Sequence, residues 1–275
     1  ESFRKNYSCA GTYYNAEGID QFNKIIGVIV KQVLNNTSVQ VNLLDDQGRP
    51  TETDVPMSLY DSDDGSLVEH VVHTMNGKGI PDTLYLDPLR RYDLVVHTLP
   101  PVEKKNFEVI PGRHNTLAAS TPRGDLHLKI GGITNYKELN AVVRRHGNME
   151  TVHHQAFNTK QKYITGSYDI EILSTPRLRF NNIIISQNKT RIIDIPAPGM
   201  LSLKTGRDLS GSIFQELNGK MVWVKDIPSV AGRHEIIMQP GNYTVVYRLK
   251  SETRTLYTKK MPFTISSGIN TTIAL

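Results

Sequence analysis

The sequence predicts a mostly β protein made of three tandem β-sandwich modules that follow one N-terminal amphipathic helix. Three observations predict this. Landmarks recur with a period near 75 residues, short alternating apolar runs are separated by Gly, Pro and Asp turns, and one stretch near the start has helical periodicity. A period of that length is the size of one small β-domain.

The repeat is clearest at three tyrosines, Tyr92, Tyr168 and Tyr243, which lie 76 and 75 residues apart. Each tyrosine begins an alternating apolar run directly after a turn. Leu126 and Leu201, in a second repeated segment, again differ by 75. A tyrosine at the corner of a sandwich commonly donates its hydroxyl to a backbone carbonyl a few residues upstream. The position therefore predicts a tyrosine corner in each module.

A second landmark is a Gly or Asn that ends the next apolar run in each copy. Gly112, Asn188 and Gly268 follow the three tyrosines by 20, 20 and 25 residues. Asn is the usual replacement for Gly where the backbone needs a positive φ. The three residues therefore predict the same turn conformation in each module.

Helical spacing occurs between Asp20 and Leu34, where the apolar residues fall on one face: Phe22, Ile25, Ile26, Ile29, Val30, Val33 and Leu34. Asn35 and Asn36 are a plausible end for this helix. Thr12, Tyr13 and Tyr14, before it, are predicted to form a short strand. Such an apolar stripe needs a cover, which is either the first β-module or a segment upstream of Glu1.

The predicted domain ranges are 1–36 for the strand and helix, 37–121 for sandwich 1, 122–197 for sandwich 2 and 198–275 for sandwich 3. The connections between sandwiches are short and contain proline. We therefore expect a semi-rigid rod of modules.

Composition narrows the class of protein. The net charge of +5 is spread along the chain and is not gathered on one predicted helix, so we expect no nucleic-acid binding. No apolar run is long enough for membrane insertion within this chain. Cys9 is the single cysteine, which excludes an intramolecular disulfide and leaves a reducing compartment or a bacterial exterior.

Candidate chemistry is sparse, and we predict no catalytic, cofactor-binding or metal site and no cofactor. His153 and His154 are adjacent, so on a strand they point to opposite faces, and His146 adds no metal-ligand spacing. The stretch from Asp61 to Gly65 is similar to a calcium loop but has no Glu at the twelfth position. A hairpin turn explains that stretch without a cation.

Two other functions remain open at this point. A carbohydrate-binding array would use exposed aromatic residues such as Tyr136, Trp223 or Tyr257 as a platform. An enzyme would use a site at a module junction, around His146, His153 and Asp169. An unpaired edge in each sandwich would also allow another chain to add a strand.

The opening residues resemble a known family. The segment from Cys9 to Glu17 and the helix after it resemble the closing strand and last helix of a von Willebrand factor type A domain. The metal site of that family, Asp-x-Ser-x-Ser, is absent from this chain, so no functional residue is carried over. The modules resemble transthyretin-like or carboxypeptidase-regulatory-like sandwiches, as in Bacteroidetes-type envelope proteins.

The sequence thus predicts three immunoglobulin-like or transthyretin-like sandwiches without enzymatic activity. Tandem copies of one β-module usually form a stalk or a binding surface. We expect a structural stalk or protein-interaction region of a bacterial envelope or secreted protein, located in the periplasm, on the cell surface or outside the cell. A protein partner is the first expectation and a carbohydrate the second.

Overall fold

The computed structural model describes residues 18–132, 136 and 138–275. Within these residues the chain forms one α-helix, 21 β-strands and a short 3-10 turn at Thr255–Tyr257. The helix, α1, runs Ile19–Asn36 and agrees with the predicted helix. The predicted strand at 12–14 and the segment 9–17 that carries the von Willebrand-like strand lie outside the described residues.

The strands fall into three sets of seven, which we call modules 1, 2 and 3. Module 1 contains β1 Ser38–Leu44, β2 Val55–Asp61, β3 Leu67–His73, β4 Thr83–Tyr85, β5 Arg91–Val96, β6 Val102–Glu108 and β7 His114–Ser120. Module 2 contains β8 Arg123–Ile130, β9 Asn140–Arg145, β10 Thr151–Ala156, β11 Lys160–Ile164, β12 Gly166–Ile172, β13 Leu178–Ile185 and β14 Thr190–Ile195. Module 3 contains β15 Gly199–Thr205, β16 Leu209–Leu217, β17 Lys220–Asp226, β18 Gly232–Met238, β19 Gly241–Leu249, β20 Lys259–Ile265 and β21 Asn270–Ala274.

All three modules have the same topology. Each pairs a three-stranded sheet with a four-stranded one, in the orders β4-β1-β7 and β3-β2-β5-β6, β11-β8-β14 and β10-β9-β12-β13, and β18-β15-β21 and β17-β16-β19-β20. The prediction of three tandem sandwiches behind a helix is confirmed. The strand order differs from the ABED and CFG sheets of an immunoglobulin constant domain, because here the first strand lies between the fourth and the last.

The first and last strands of each module pair in parallel. β1 pairs with β7 from Ser38 to Leu44, β8 with β14 from Asp125 to Ile130, and β15 with β21 from Met200 to Lys204. The other pairings in each sandwich are antiparallel. Because the first and last strands run side by side in the same direction, the chain enters each module at one end of this strand pair and leaves it at the other end.

Each sandwich encloses its own apolar core. In the fifth strand of every module, alternate residues are buried, as in β12, where Tyr168, Ile170 and Ile172 point inward. This period of two is expected for a strand with one face on a core. The three tyrosines that mark the repeat are all within these cores.

The predicted tyrosine corner is present three times. Tyr92 donates its hydroxyl to the carbonyl of Asp87 at 2.8 Å, Tyr168 to that of Ile164 at 2.6 Å, and Tyr243 to that of Gln239 at 2.8 Å. Burial raises the pKa of each phenol, and that of Tyr168 to about 12. The hydroxyls therefore remain protonated donors well above neutral pH.

The predicted positive-φ turn is also confirmed. Gly112, Asn188 and Gly268 have φ of 66°, 54° and 70°. In each module the backbone N–H of this residue binds the segment that begins the first strand. The acceptor is the hydroxyl of Thr37 in module 1 and the carbonyls of Arg123 and Pro198 in the others. The turn thereby fastens the last strand to the first.

Modules 1 and 2 share a bulge that module 3 lacks. Opposite Asp93 and opposite Asp169 the pairing register shifts by one residue, and each carboxylate accepts the backbone N–H of the bulged residue, Asn106 at 2.7 Å and Asn182 at 2.9 Å. Both asparagines have positive φ. Thr244 occupies the corresponding position in module 3, and there the register is continuous.

Helix α1 is tied to module 1 at its end but is not covered by it. The Thr37 hydroxyl donates to the carbonyl of Val33 at 2.7 Å and accepts the Gly112 N–H at 2.8 Å. Most apolar side chains of the helix, including Phe22 and Ile26, are exposed. The expectation that module 1 covers the apolar stripe is therefore not met by these residues.

The chain divides between Pro122 and Arg123 into two compact units. The first contains α1 and module 1, and the second contains modules 2 and 3 together. The four domain ranges stated above stay predictions. Among the described residues, no helix combines the length and the apolar character that crossing a bilayer requires.

We expect replacement of a corner tyrosine by phenylalanine to destabilise the chain. Tyr92→Phe, Tyr168→Phe and Tyr243→Phe would each leave a carbonyl without its donor, which costs about 1–2 kcal/mol. Tyr85→Phe is the control, because Tyr85 is exposed and should change the free energy of unfolding by less than about 0.5 kcal/mol. Urea unfolding of the full chain measures this. Equal effects of corner and control variants would contradict the structural role of the corners.

A second prediction concerns two glycines at the start of modules 2 and 3: Gly124 is the second residue of β8, and Gly199 is the first residue of β15. A Cβ on Gly124 would lie 2.1 Å from the carbonyl oxygen of Ser186, and one on Gly199 would lie 2.4 Å from that of Ser266. Because backbone must move to relieve this, Gly124→Ala and Gly199→Ala should each cost at least about 2 kcal/mol. Gly206→Ala, where a Cβ meets nothing within 4 Å, should be nearly neutral in the same unfolding experiment.

Candidate interaction surface

The structure brings together two of the three residues considered for a junction enzyme. His146 Nδ1 lies 2.8 Å from Asp169 Oδ1. The same carboxylate accepts the Asn182 backbone N–H, and these hydrogen bonds lower its pKa, that from Asn182 most and that from His146 next. Asp169 therefore holds a bulge and a neighbouring loop. His153 lies on β10, and its ring contacts Tyr163 instead, with the centroids 6.2 Å apart.

The other sequence candidates also have structural roles. His153 faces the Tyr163 ring while His154 is exposed, so the adjacent histidines point to opposite faces as predicted. Asp61 lies at the start of a hairpin loop. Its carboxylate accepts hydrogen bonds from the Asp63 backbone N–H and from the Arg90 guanidinium. Among the described residues, no group of three or more His, Cys, Asp or Glu side chains is arranged to hold a metal ion.

The structure places a serine between two histidines that no sequence motif predicts. Ser58 Oγ lies 2.7 Å from His70 Nδ1 and 2.7 Å from His97 Nε2 on the outer face of module 1. The two ring centroids are 5.7 Å apart. The hydroxyl can donate to one imidazole and accept from the other. The partners are 12 and 39 residues from Ser58, and no local spacing indicates this cluster.

The most exposed apolar strand of the second unit is β17. It forms a hairpin with β16 through Asn218 and Gly219, both with positive φ, as a two-residue turn requires. β17 lies at the edge of its sheet, and Met221, Val222 and Trp223 are exposed. The Trp223 indole, 56% exposed, donates to Asp226 Oδ1 at 3.0 Å. This bond holds the ring in place at the surface.

Beside this hairpin lies a charged cluster of module 2 centred on Glu171. Arg144 Nη1 is 3.1 Å from Glu171 Oε2, while Arg177 and Arg179 reach Oε1 at 3.2 and 3.3 Å. Burial by itself would raise the pKa of Glu171, but the hydrogen bonds from the three guanidinium groups outweigh it and hold the pKa below its ordinary value. The carboxylate is therefore ionised at neutral pH, and three positive charges surround one negative charge.

The hairpin and the arginines border one groove of about 520 Å³, which we call the edge groove. Its lining residues are Pro176, Arg177 and Arg179 from module 2 and Gln215, Leu217, Val222, Trp223 and Val224 from module 3. A pocket of about 300 Å³ shares Arg179 with it and extends along the outer face of module 2. The edge groove combines an apolar wall with a basic wall.

The aromatic residues considered for a carbohydrate platform do not assemble on one surface. Trp223 is on β17, at one edge of its sheet, while Tyr257 lies in the turn before β20, at the other edge. Three strand spacings separate those edges, roughly 14 Å. Tyr136 is half-buried, and burial raises the pKa of its phenol. Trp223 alone belongs to the edge groove.

The sequence predicts the hairpin side of the edge groove but not its arginine side. Trp223 is one of the exposed aromatic residues that the sequence suggests, and Asn218-Gly219 between two apolar runs is a strong hairpin signal. Arg177, Arg179 and Glu171 carry no motif. They join the site because a strand of module 2 lies beside a hairpin of module 3.

Comparisons with known proteins give distant similarities only. No family model and no curated protein matches the chain. The Bacillus anthracis TIE protein is 14% identical over 87% of this chain and 50% of that chain, with a TM-score of 0.24. The minor pilin GBS52 of Streptococcus agalactiae is 11% identical over 58% of this chain and 94% of that chain, with a TM-score of 0.26. The tip fimbrial protein Mfa3 of Porphyromonas gingivalis, with a C-terminal truncation, is 10% identical over 74% of this chain and 99% of that chain, with a TM-score of 0.25.

The chain thus spans half the length of the TIE protein chain that it resembles. TM-scores this low carry no conclusion about the fold or function of this chain. No comparison supports the resemblance of the opening residues to a von Willebrand factor type A domain, which stays a prediction.

The ion pairs of Glu171 should make the free energy of unfolding decrease when the pH falls. Because the folded-state pKa of Glu171 is lowered, its carboxylate stabilises the fold above its ordinary pKa of 4.5 and loses that contribution as the pH falls through the lower, folded-state value. Glu171→Gln should therefore cost about 1–2 kcal/mol at neutral pH. The difference from the native chain should shrink below about pH 4.5.

Urea unfolding at neutral pH and through the acid range measures this difference. The matched control is Glu150→Gln, an exposed residue of module 2, which should change the unfolding free energy by less than about 0.5 kcal/mol. A difference for Glu171→Gln that stays constant on acidification would show that the arginines do not stabilise the ionised carboxylate.

Proposed function

We propose that this chain is a non-catalytic structural and protein-interaction region of a bacterial cell-surface or secreted protein, in which the modules bear tension. The observation that supports this most is the parallel pairing of the first and last strands in all three modules. Extended proteins are commonly built by repeating one small structural unit. The stability of such a protein is then close to the sum of the stabilities of its repeats and their interfaces.

The parallel pairing matters because of the direction in which force acts. Tension applied at the two ends of a module pulls its first and last strands in opposite directions along their common axis. The hydrogen bonds of that ladder, five to seven residue pairs in each module, are then loaded together. An antiparallel terminal pair would be loaded one bond at a time and would open like a zipper.

The candidate catalytic groups support a non-catalytic role because they already have partners. Asp169 binds a bulge amide and His146, and His153 contacts the Tyr163 ring. Ser58, whose hydroxyl lies beside two imidazoles, is buried between them. A nucleophile needs access to substrate as well as a base.

The cellular location belongs to the same proposal. A single cysteine and cores closed by packing are compatible with an extracytoplasmic bacterial protein that has no disulfides. We place the chain in the periplasm, on the cell surface or outside the cell. An A domain before the first module is part of this proposal and rests on the sequence resemblance alone.

Single-molecule stretching tests the load-bearing role. When the full chain is pulled from its two ends, we expect three separate high-force unfolding events. Each should release roughly 200–250 Å of contour, the extended length of about 75 residues less the folded module. Gly124→Ala, which crowds the first strand of module 2, should weaken one event of the three. Gradual extension without separate peaks would contradict the proposal.

A further inference from the structure

The edge strand β17 exposes apolar residues on both of its faces. Val222 and Trp223 both border the edge groove. Because side chains alternate along a strand, Met221 and Trp223, which pair with Glu216 and Phe214 of β16, project from one face and Val222 projects from the other. Natural edge strands are usually kept short, charged or covered, because an exposed apolar edge invites another strand. The exposure of Met221, Val222 and Trp223 on this edge strand therefore indicates a surface that binds another protein segment.

The backbone of β17 is open on the side away from β16. Within the described residues, β17 ends the order β17-β16-β19-β20 and pairs with no second strand. Addition of an extended peptide to such an edge gives affinity through main-chain hydrogen bonds and specificity through alternate side chains. Side chains on one face of an added strand would meet Met221 and Trp223, and those on the other would meet Val222.

The charge around this edge favours an acidic occupant. The side chains of Arg177 and Arg179 are 62% and 69% exposed and share a single carboxylate oxygen of Glu171. Lys220 and Lys225 are exposed at the two sides of the apolar run. Charges of one sign attract a partner of the other sign and increase the rate of encounter.

The same charges disfavour a second copy of this chain as the occupant. Each copy carries a net charge of +5, so two copies repel each other as they approach. Lysines on an edge strand commonly prevent self-association.

We propose that β17 and the edge groove bind an extended acidic segment of another protein. The segment adds to the sheet as a fifth strand beside β17, with apolar side chains against Trp223 and carboxylates near Arg177 and Arg179. This inference rests on the proposed interaction role and specifies its site and the chemistry of its partner. The exposed guanidinium groups remain available because Glu171 neutralises only one of three charges.

The test is fluorescence anisotropy of a labelled peptide added to the full chain. The probe is an alternating valine–glutamate peptide of about ten residues, long enough for one strand. We expect saturable binding that weakens strongly at about 1 M NaCl, where the Debye length is about 3 Å. A peptide with lysine in place of glutamate should not bind.

Two variants and a matched control locate the site. The double variant Arg177→Glu and Arg179→Glu should weaken binding on the order of tenfold or more, because attraction becomes repulsion. Trp223→Ala should weaken binding several-fold. Arg191→Glu makes the same charge change at an exposed position of β14, away from the groove, and should bind within about twofold of the native chain. Unchanged circular dichroism verifies that each variant is folded.

Strand addition has its own signature. A peptide N-methylated at alternate residues cannot donate hydrogen bonds from one edge, and of the two possible methylation patterns one should abolish binding while the other preserves it. Equal binding by both would overturn strand addition.

Three further results would also overturn the proposal. These are absence of saturable peptide binding, binding of an anionic polysaccharide but not of the peptide, and dimerisation of the chain alone that is lost in Trp223→Ala. None of them would change the three unfolding events expected on stretching, so failure here is distinguishable from failure of the proposed function.

Discussion

The parallel pairing of first and last strands is the constraint on which the rest of each module depends. The first strand also pairs with the fourth, so it lies in the middle of a three-stranded sheet, and the four remaining strands form the opposing sheet. The parallel pairing also requires the chain to cross from the last strand of the large sheet to the small one at one fixed point. The positive-φ residues Gly112, Asn188 and Gly268 lie in that crossing, and their N–H groups bind the start of the first strand.

Closure of each small sandwich relies on local backbone locks as well as on apolar burial. A domain of about 75 residues buries a limited fraction of its surface and is marginally stable. A buried tyrosine hydroxyl bound to a carbonyl fastens one loop, and the turn amide fastens another. In module 3 the corner loop also contacts module 2. The Gln239 carbonyl accepts the Tyr243 hydroxyl, and the Gln239 backbone N–H donates to the Thr175 carbonyl of module 2 at 2.7 Å. One residue therefore takes part in both the tyrosine corner and the contact between modules 2 and 3.

The modules share their interior and differ at their surfaces. Asp93 and Asp169 hold bulges that Thr244 does not, so the pairing of β19 with β20 in module 3 keeps a continuous register. The tryptophan on an exposed edge strand belongs to module 3 only. A common core therefore supports surfaces with different chemistry, which is how a repeated scaffold acquires a binding site without changing its fold.

The sequence by itself determined the number of modules, the helix, the corner tyrosines and the conformation of the turns. These features depend on local periodicity and on residues such as Asn188 whose backbone preference is intrinsic. Only the tertiary structure decided the strand order, the Ser58 cluster and the edge groove. Glu171, Arg179 and Trp223 lie on different strands and carry no motif, because contacts between strands are set by topology and packing and leave no pattern in local spacing. The exposure of α1 was likewise undecided, since an apolar stripe predicts a need for cover but not whether module 1 supplies it.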